Sequence, residues 1–462
     1  MNRRNLLQSL SLAGGASLLG SKEALAEALA PKPNPAFTQA MKGLPPLKIT
    51  NIKTIMTAPN RIRLVVVKVE TSEPGLVGWG CATFTQRALV VKTAIDEYLA
   101  PFLKGRNVDE IEDIWQSSYM SSYWRNGPVL FNAMSGVDIA LWDIKGKRAN
   151  MPIYQLLGGK VRKGADCYFH ASGRDLQELG DRAKAAMEQG FRHVRIQAGV
   201  EGLATYGAGG GGTTNITTPG AAPEAIGPTN PKAIWESAKY ARQVPKMFEE
   251  MRKRLGDEVE LLHDVHERVT LQQGIQICKD VEKFRPFFIE DPFPPEENEH
   301  FRLLRQQCNT PIAMGELFNT QHEYLPLIKD RLIDFIRIHI SQIGGLSPAK
   351  KVANLSEYFG VRSAWHGPGD ASPLAHAAQL AIELSSYNFG VHEGSGFPKE
   401  TQEVFAGCPE VKDGYMMANE KPGLGIDFNE ALAAKFPLPP GPPNFDYSWG
   451  TTRRRDGTVI RP

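Results

Sequence analysis

Three acidic side chains recur in this chain at one interval: Glu290 follows Asp264 by 26 residues, and Glu316 follows Glu290 by the same 26. About 26 residues is the length of one strand with its helix and turns, so the interval sets the three carboxylates on successive strands of one parallel sheet. Carboxylates gathered in an apolar bowl repel one another and stay ionised there only around a cation. An oxygen-only donor set with no cysteine partner suits Mg2+, which keeps positions open for water or substrate. Taken singly, each carboxylate reads equally well as a helix N-cap or a solvated loop charge. The equal spacing is what separates these three from that reading. His170, His366 and Glu393 end apolar segments in the same manner.

The segments that carry them alternate with helical stretches. Short apolar runs cover 166–170, 191–198, 259–264, 286–290, 311–316, 334–339, 361–366 and 389–393. Eight such runs separated by helices argue for a (β/α) barrel over an open doubly wound sheet, and no GxGxxG follows the first of them. In a barrel the C-terminal strand ends converge, so residues remote in sequence meet on one rim. The preceding block has another grammar. Strands over 48–57, 61–70 and 75–82 come first and helical patterns around 93–103, 109–117 and 129–147 follow, as in a separate α+β domain.

Composition excludes several function classes. In 462 residues, 53 Lys and Arg against 51 Asp and Glu leave a formal charge of +2, which gives no electrostatic case for nucleic acid or anionic lipid. Five scattered cysteines form no CxxC pair, which excludes a disulfide scaffold and a clustered cysteine zinc site. At the amino terminus, Arg3-Arg4 precede an apolar run interrupted by Gln8, Ser9 and Ser11, with Ala24-Leu25-Ala26 beyond. That run is too short to span a bilayer and reads as a twin-arginine export signal over 1–26, followed by a Pro-rich linker over 27–46. The periplasm is the compartment this implies; an uncleaved amphipathic arm is the alternative. The glycine run at 209–212 lacks the Lys-Ser/Thr ending of a phosphate loop and reads as part of a flexible lid.

Around the candidate residues the chain resembles a known family. Asp264-Val265-His266, Ile289-Glu290-Asp291-Pro292, Gly315-Glu316 and His366-Gly367-Pro368-Gly369-Asp370 are similar to motifs of the enolase superfamily. More narrowly they resemble its D-mannonate dehydratase group, beside the mandelate racemases. The likeness runs from about Lys48 to the end of the barrel, and includes Tyr123-Trp124-Arg125-Asn126-Gly127-Pro128. It implies an α/β fold with a (β/α)7β TIM-like barrel over 166–424 and an N-terminal α+β capping domain over 47–165, completed by C-terminal chain 425–462. It also implies Mg2+ on Asp264, Glu290 and Glu316, and a homo-oligomer.

The implied reaction converts a sugar acid, D-mannonate, to 2-keto-3-deoxy-D-gluconate. A base removes the C2 proton and an acid protonates the departing C3 hydroxyl. On the family pattern the acid is His266, two residues past Asp264 and so on the same face of an extended strand. The base is a Tyr–Arg pair, Arg195 in Arg195-Ile196-Gln197-Ala198-Gly199 and Tyr206 on the loop that follows. Substrate contacts fall on His170, Glu316, Arg337, His366, Asp370 and Glu393. Without the resemblance, Arg195 merely ends a strand and Tyr206 anchors a loop. Racemases and cycloisomerases of the superfamily carry Lys-x-Lys where this chain has Arg195-Ile196-Gln197, so their base is missing. Two positions depart from the pattern: Arg63 stands where an Asn is usual, and Pro368 follows Gly367 as in members that resemble gluconate dehydratases. D-gluconate or another aldonic acid is thus the alternative substrate, and a non-catalytic sugar-acid-binding or sensing paralogue the alternative class.

Overall fold

The computed structural model describes residues 45–199, 235–367, 371–394, 396–439, 454 and 456–461. The expected signal over 1–26, nearly all of the linker, Tyr206 with its glycine-rich loop, and Asp370 with Pro368 lie outside the described residues.

An antiparallel meander opens the ordered chain: β1 (Ile49–Thr57), β2 (Leu64–Thr71) and β3 (Val77–Cys81), in the order β1-β2-β3. The apolar run of β2 is explained by its two faces. Val65, Val67 and Val69 point into a core shared with Ala133, Val137 and Leu141 of the long helix Pro128–Ala149. Leu64 and Val66, on the other face, belong to the apolar cluster continuous with the second domain. Gly78 and Gly80 let helix and sheet close up, because a Cβ on either would lie 2.0 Å or 1.9 Å from the carbonyl oxygens of Ala140 and Gly136.

Eight parallel strands then close a barrel: β4 (Ala165–Gly173), β5 (His193–Ala198), β6 (Glu260–Asp264), β7 (Phe288–Glu290), β8 (Ile312–Met314), β9 (Phe335–Ile336), β10 (Arg362–Ser363) and β11 (His392–Glu393). They pair in sequence order from β4 to β10. A bridge from Ser363 to Phe389 brings in the last strand, and β11 pairs with β4 through His392 and Cys167. Helices lie between successive strands, from Leu176–Glu188 to Pro373–Ser385. All eight expected strands occur. The later ladders are shorter than expected, since residues such as Arg337 and His366 sit just past the last regular pair, at the rim.

Alternation inside the barrel places the chemistry. Tyr168, Leu262, Phe288, Ala313, Phe335, Ala364 and Val391, nearly one per strand, form an interior apolar plug. Two residues further along, on the same inward face, stand His170, Asp264, Glu290, Arg337, His366 and Glu393. The exception is informative. Ala313 is followed at that spacing by Gly315, whose φ of +141° turns the chain so that Glu316 takes the inward place instead.

The chain beyond the barrel returns to the first sheet. β12 (Phe405–Ala406) bonds to Asp427–Phe428, the Phe428 ring lies 4.9 Å from that of Trp79, and the Ala58 amide donates to the Phe436 carbonyl at 2.7 Å. Lys53 and Lys68 both pair with Glu430, at 3.0 and 2.6 Å. The capping block also grips the barrel: Trp115 Nε1 donates to the Gly344 carbonyl and Trp142 Nε1 to Ser347 Oγ, each at 2.9 Å. Among the described residues no helix is long and apolar enough to cross a membrane.

Candidate active site

The inward residues at the rim form one linked network. Arg195 donates from Nη1 to Asp264 Oδ2 at 3.0 Å, and its Nη2 lies 3.1 Å from His170 Nδ1. His170 Nε2 faces Glu393 Oε1 at 2.7 Å. Arg337, fully buried, reaches three strands: Nη2 donates to Glu393 Oε2 at 2.5 Å and to the Tyr168 hydroxyl at 2.8 Å, while Nε stands 2.5 Å from Glu290 Oε1. Glu316 lies between two imidazoles, with His266 Nε2 at 3.4 Å from Oε1 and His366 Nε2 at 3.2 Å from Oε2.

Most of the expected residues are therefore brought together: His170, Arg195, Asp264, His266, Glu290, Glu316, Arg337, His366 and Glu393. Tyr206 and Asp370 fall outside the described residues. The acidic grouping differs in one detail from the expected trio. Glu290 and Glu316 gather most tightly with Asp291, one oxygen of each lying within 4.8 Å of the others. Asp264 stands beside Glu290 in strand register, with Oδ2 turned to Arg195. Asp291 was not singled out from sequence, because next to Glu290 on an extended strand it is expected to face away; its φ of 41° breaks the alternation. Tyr168 and His339 were also missed. Each sits two residues before a candidate (His170) or after one (Arg337), a spacing that could have found them. His339 Nδ1 lies 2.6 Å from His366 Nδ1, and burial first, then the His366 charge, pull its pKa down to about 3, so it is neutral.

Electrostatics divide the carboxylates into two kinds. Burial resists ionisation of Glu393, but Arg337, His366 and His170 overrule it and hold the group well below the usual carboxylate range. Glu316 is held low in the same way, by His366, His266 and Arg337 against burial. Glu290 and Asp291 go the other way. Burial pushes both well above the usual range against the Arg337 charge, and neighbouring acids (Asp264 and Glu316 for the first; Glu316, Glu290 and Asp264 for the second) push further. Glu290 Oε1 meets Arg337 Nε as an ion pair at 2.5 Å without hydrogen-bond geometry, and neither Glu290 Oε2 nor Asp291 Oδ1 has a hydrogen-bond donor among the described residues. Buried carboxylate oxygens without donors, clustered with a third carboxylate, are what a hard cation satisfies. The residues present thus fit Mg2+.

Comparison with known proteins agrees with this architecture. Residues 39–158 match the mandelate racemase / muconate lactonizing enzyme N-terminal domain, and residues 178–432 match the enolase C-terminal domain-like family. RspA, a D-galactonate dehydratase family member from Pantoea ananatis (strain LMG 20103), is 53% identical over 422 residues, 90% of this chain and 99% of that protein. The chain belongs to the D-galactonate dehydratase family of the enolase superfamily. A further family member, from Enterocloster bolteae, is 48% identical over 417 residues, covering 90% of this chain and 99% of its own length. A crystal structure of an enolase from Pantoea ananatis with bound D-gluconate and Mg superposes with a TM-score of 0.82 at 51% identity, covering 90% of this chain and all of that one. By family membership the protein is an enzyme, a sugar-acid hydro-lyase. The relatives carry the D-galactonate dehydratase family name, and the narrower likeness to D-mannonate dehydratases is not repeated in it.

Proposed function

We propose that this family member is a Mg2+-dependent aldonic acid dehydratase that acts on D-gluconate, with D-mannonate as the alternative substrate, and forms the 2-keto-3-deoxy acid. The observation that carries the reading is Glu290, buried, with no partner of hydrogen-bond geometry beyond its ion pair to Arg337, and clustered with Asp291 and Glu316 under a rim of His and Arg. The D-gluconate and Mg bound by the relative at 51% identity support the choice of ligand and ion. Asp264, Glu290 and Glu316 would hold the ion, with Asp291 adding charge beside them. Bound there, Mg2+ would stabilise the negative charge that grows on the substrate carboxylate as the C2 proton leaves.

The protein's own groups do the rest. Arg195 is held by His170 and Asp264; in the proposed reaction its charge would favour the ionised form of Tyr206, the C2 base, which lies outside the described residues. His266 is the acid for the C3 hydroxyl. Burial and Arg268 oppose its protonation, yet Asp264 and Glu316 outweigh them and its pKa is raised, which keeps a proton available. Arg337, His366 and Glu393 orient substrate hydroxyls and carboxylate, Glu393 as an acceptor because it stays ionised.

Incubating the protein and Mg2+ with D-gluconate, D-mannonate, D-galactonate and hexaric acids, then assaying 2-keto-3-deoxy products, tests the reading. D-gluconate should turn over, and absence of keto acid from every aldonic acid would sink it. His266→Asn should lower kcat about 10²–10⁴-fold with the fold intact; ordinary turnover in that variant removes His266 from the acid role. Metal binding should release protons, since burial raises the pKa of Glu290 and Asp291 in the metal-free protein and a cation favours their ionised forms. Apparent Mg2+ affinity should therefore rise with pH in calorimetry, and a flat profile would count against this ligand set. Comparing Asp264→Asn with Asp291→Asn identifies the third ligand: the variant that loses Mg2+ binding carries it.

We also propose twin-arginine export to the periplasm and an even-numbered homo-oligomer. Arg3-Arg4 ahead of a short apolar run and an Ala-Leu-Ala site support the first. Replacing both arginines by lysine should leave the protein in the cytoplasmic fraction, and unchanged fractionation would refute the signal. Light scattering of the purified protein checks the second.

A further inference from the structure

The helix Pro373–Ser385 is buried at every residue from Pro373 to Leu384. An apolar sequence would serve such a place, yet His376, Gln379 and Glu383 interrupt it. Spacings of three and four residues set them on one face. That face looks onto the back of the rim. Glu383 Oε1 lies 2.6 Å from His392 Nδ1, and His392 Nε2 lies 2.9 Å from His376 Nδ1. With the carboxylate as acceptor, His392 donates from Nδ1, and its Nε2 in the neutral ring accepts from His376 Nδ1. His392 precedes Glu393 on β11 and so points to the opposite side of the strand. Gln379 Nε2 donates to the His366 carbonyl at 2.6 Å, and the Gly367 amide donates to Glu393 Oε2 at 3.1 Å. Gly367 is wedged between helix and strand: a Cβ there would lie 2.8 Å from both His376 Cε1 and the Glu393 carbonyl oxygen. Glu383 Oε2 and Gln379 Oε1 have no hydrogen-bond donor among the described residues, so stability alone does not account for a polar stripe in this place.

We propose that His376, Gln379, Glu383 and His392 are positioning residues that fix His366 and Glu393 from behind. Gln379 holds the His366 carbonyl. The chain from Glu383 through His392 to His376 ties the helix to β11 and sets the His376 ring against Gly367, whose amide in turn holds a Glu393 oxygen. All four residues act through a neighbour and not on substrate. The inference rests on the aldonic acid dehydratase reading, in which His366 and Glu393 orient the substrate. In the order of the barrel, β10 and β11 stand across from β6 and β7, which carry Asp264 and Glu290. Loosening the stripe should therefore disturb the handling of substrate while Mg2+ binding stays as it is.

His376→Leu and Gln379→Met, two variants so that a folding failure in one leaves the other, are compared with the full-length parent. Kinetics are run on D-gluconate, or on whichever aldonic acid the parent dehydrates, and Mg2+ binding is followed by calorimetry. Each variant should lose about 10–100-fold in kcat/KM, the scale of removing an outer hydrogen-bond partner of a site residue, with Mg2+ affinity unchanged. His376→Asn, whose amide can place a donor where Nδ1 stands, should recover most of the loss. A lowered melting temperature with parental kinetics would make the stripe merely structural and overturn the proposal. So would an Asn variant as impaired as the Leu variant, or a fall in Mg2+ affinity that matches the fall in kcat/KM. A crystal structure of His376→Leu gives a readout that needs no turnover: the Gly367 amide should leave Glu393 Oε2, and an undisturbed 3.1 Å contact would refute the positioning role. A parent inactive on every aldonic acid would end the dehydratase reading, and the crystallographic result would still decide this one.

Discussion

Glu290→Gln should abolish turnover and, in the same molecule, stabilise the metal-free protein. The two effects have one cause. Five acidic groups (Asp264, Glu290, Asp291, Glu316 and Glu393) share the rim with two arginines, and burial makes Glu290 the hardest of them to keep charged with Asp291. Its pKa in the folded state is raised, so the group favours folding below its unfolded value near 4.3 and that contribution is lost as pH rises through the folded value. A neutral amide removes the cost, and Arg337 keeps Glu393 as a partner at 2.5 Å. With chelator present the variant should gain about 1–2 kcal/mol at pH 8 and less at pH 5. With Mg2+ present it should lose a ligand and about three orders of magnitude in kcat/KM, the scale of several kcal/mol of charge stabilisation. Denaturant melts at both pH values and steady-state kinetics check the pair of outcomes. A variant that turns over normally, or whose metal-free form is less stable than the parent at pH 8, would contradict the cation-site reading.

Arg337→Met should be the most destabilising single change at the rim. The guanidinium is fully buried and touches Glu290, Glu393 and Tyr168 across four strands. Removing one partner of a buried ion pair leaves the other charged and unpaired, at about 3–5 kcal/mol. Glu393, which this guanidinium holds ionised, is the carboxylate stranded here. Mg2+ should recover part of it by neutralising Glu290, and Arg337→Lys should recover part by restoring charge without the planar fork. Urea unfolding with and without Mg2+ measures both. A loss under about 1 kcal/mol would mean that Arg337 is not what holds these carboxylates together.

Much of this molecule was legible before folding. The eight barrel strands could be read because each is a short apolar run flanked by helical periodicity. The candidates His170, Asp264, Glu290, Glu316, His366 and Glu393 could be read because strand ends in a barrel point to one place, and Arg337 only through the family resemblance. Asp291 was not legible, since neighbours on a strand face opposite ways unless the backbone bends, and only the φ of 41° shows that it does.

By itself, then, the sequence determined the barrel, its capping block and the kinds of groups on the rim, because strand and helix periodicities and the 26-residue repeat are local properties of the chain. Only the tertiary structure decided which charges meet. Arg337 neutralises Glu393 but leaves Glu290 short of donors, and that difference depends on side-chain reach, burial and register across strands. Those are quantities set by closing the barrel, which no local pattern of residues encodes.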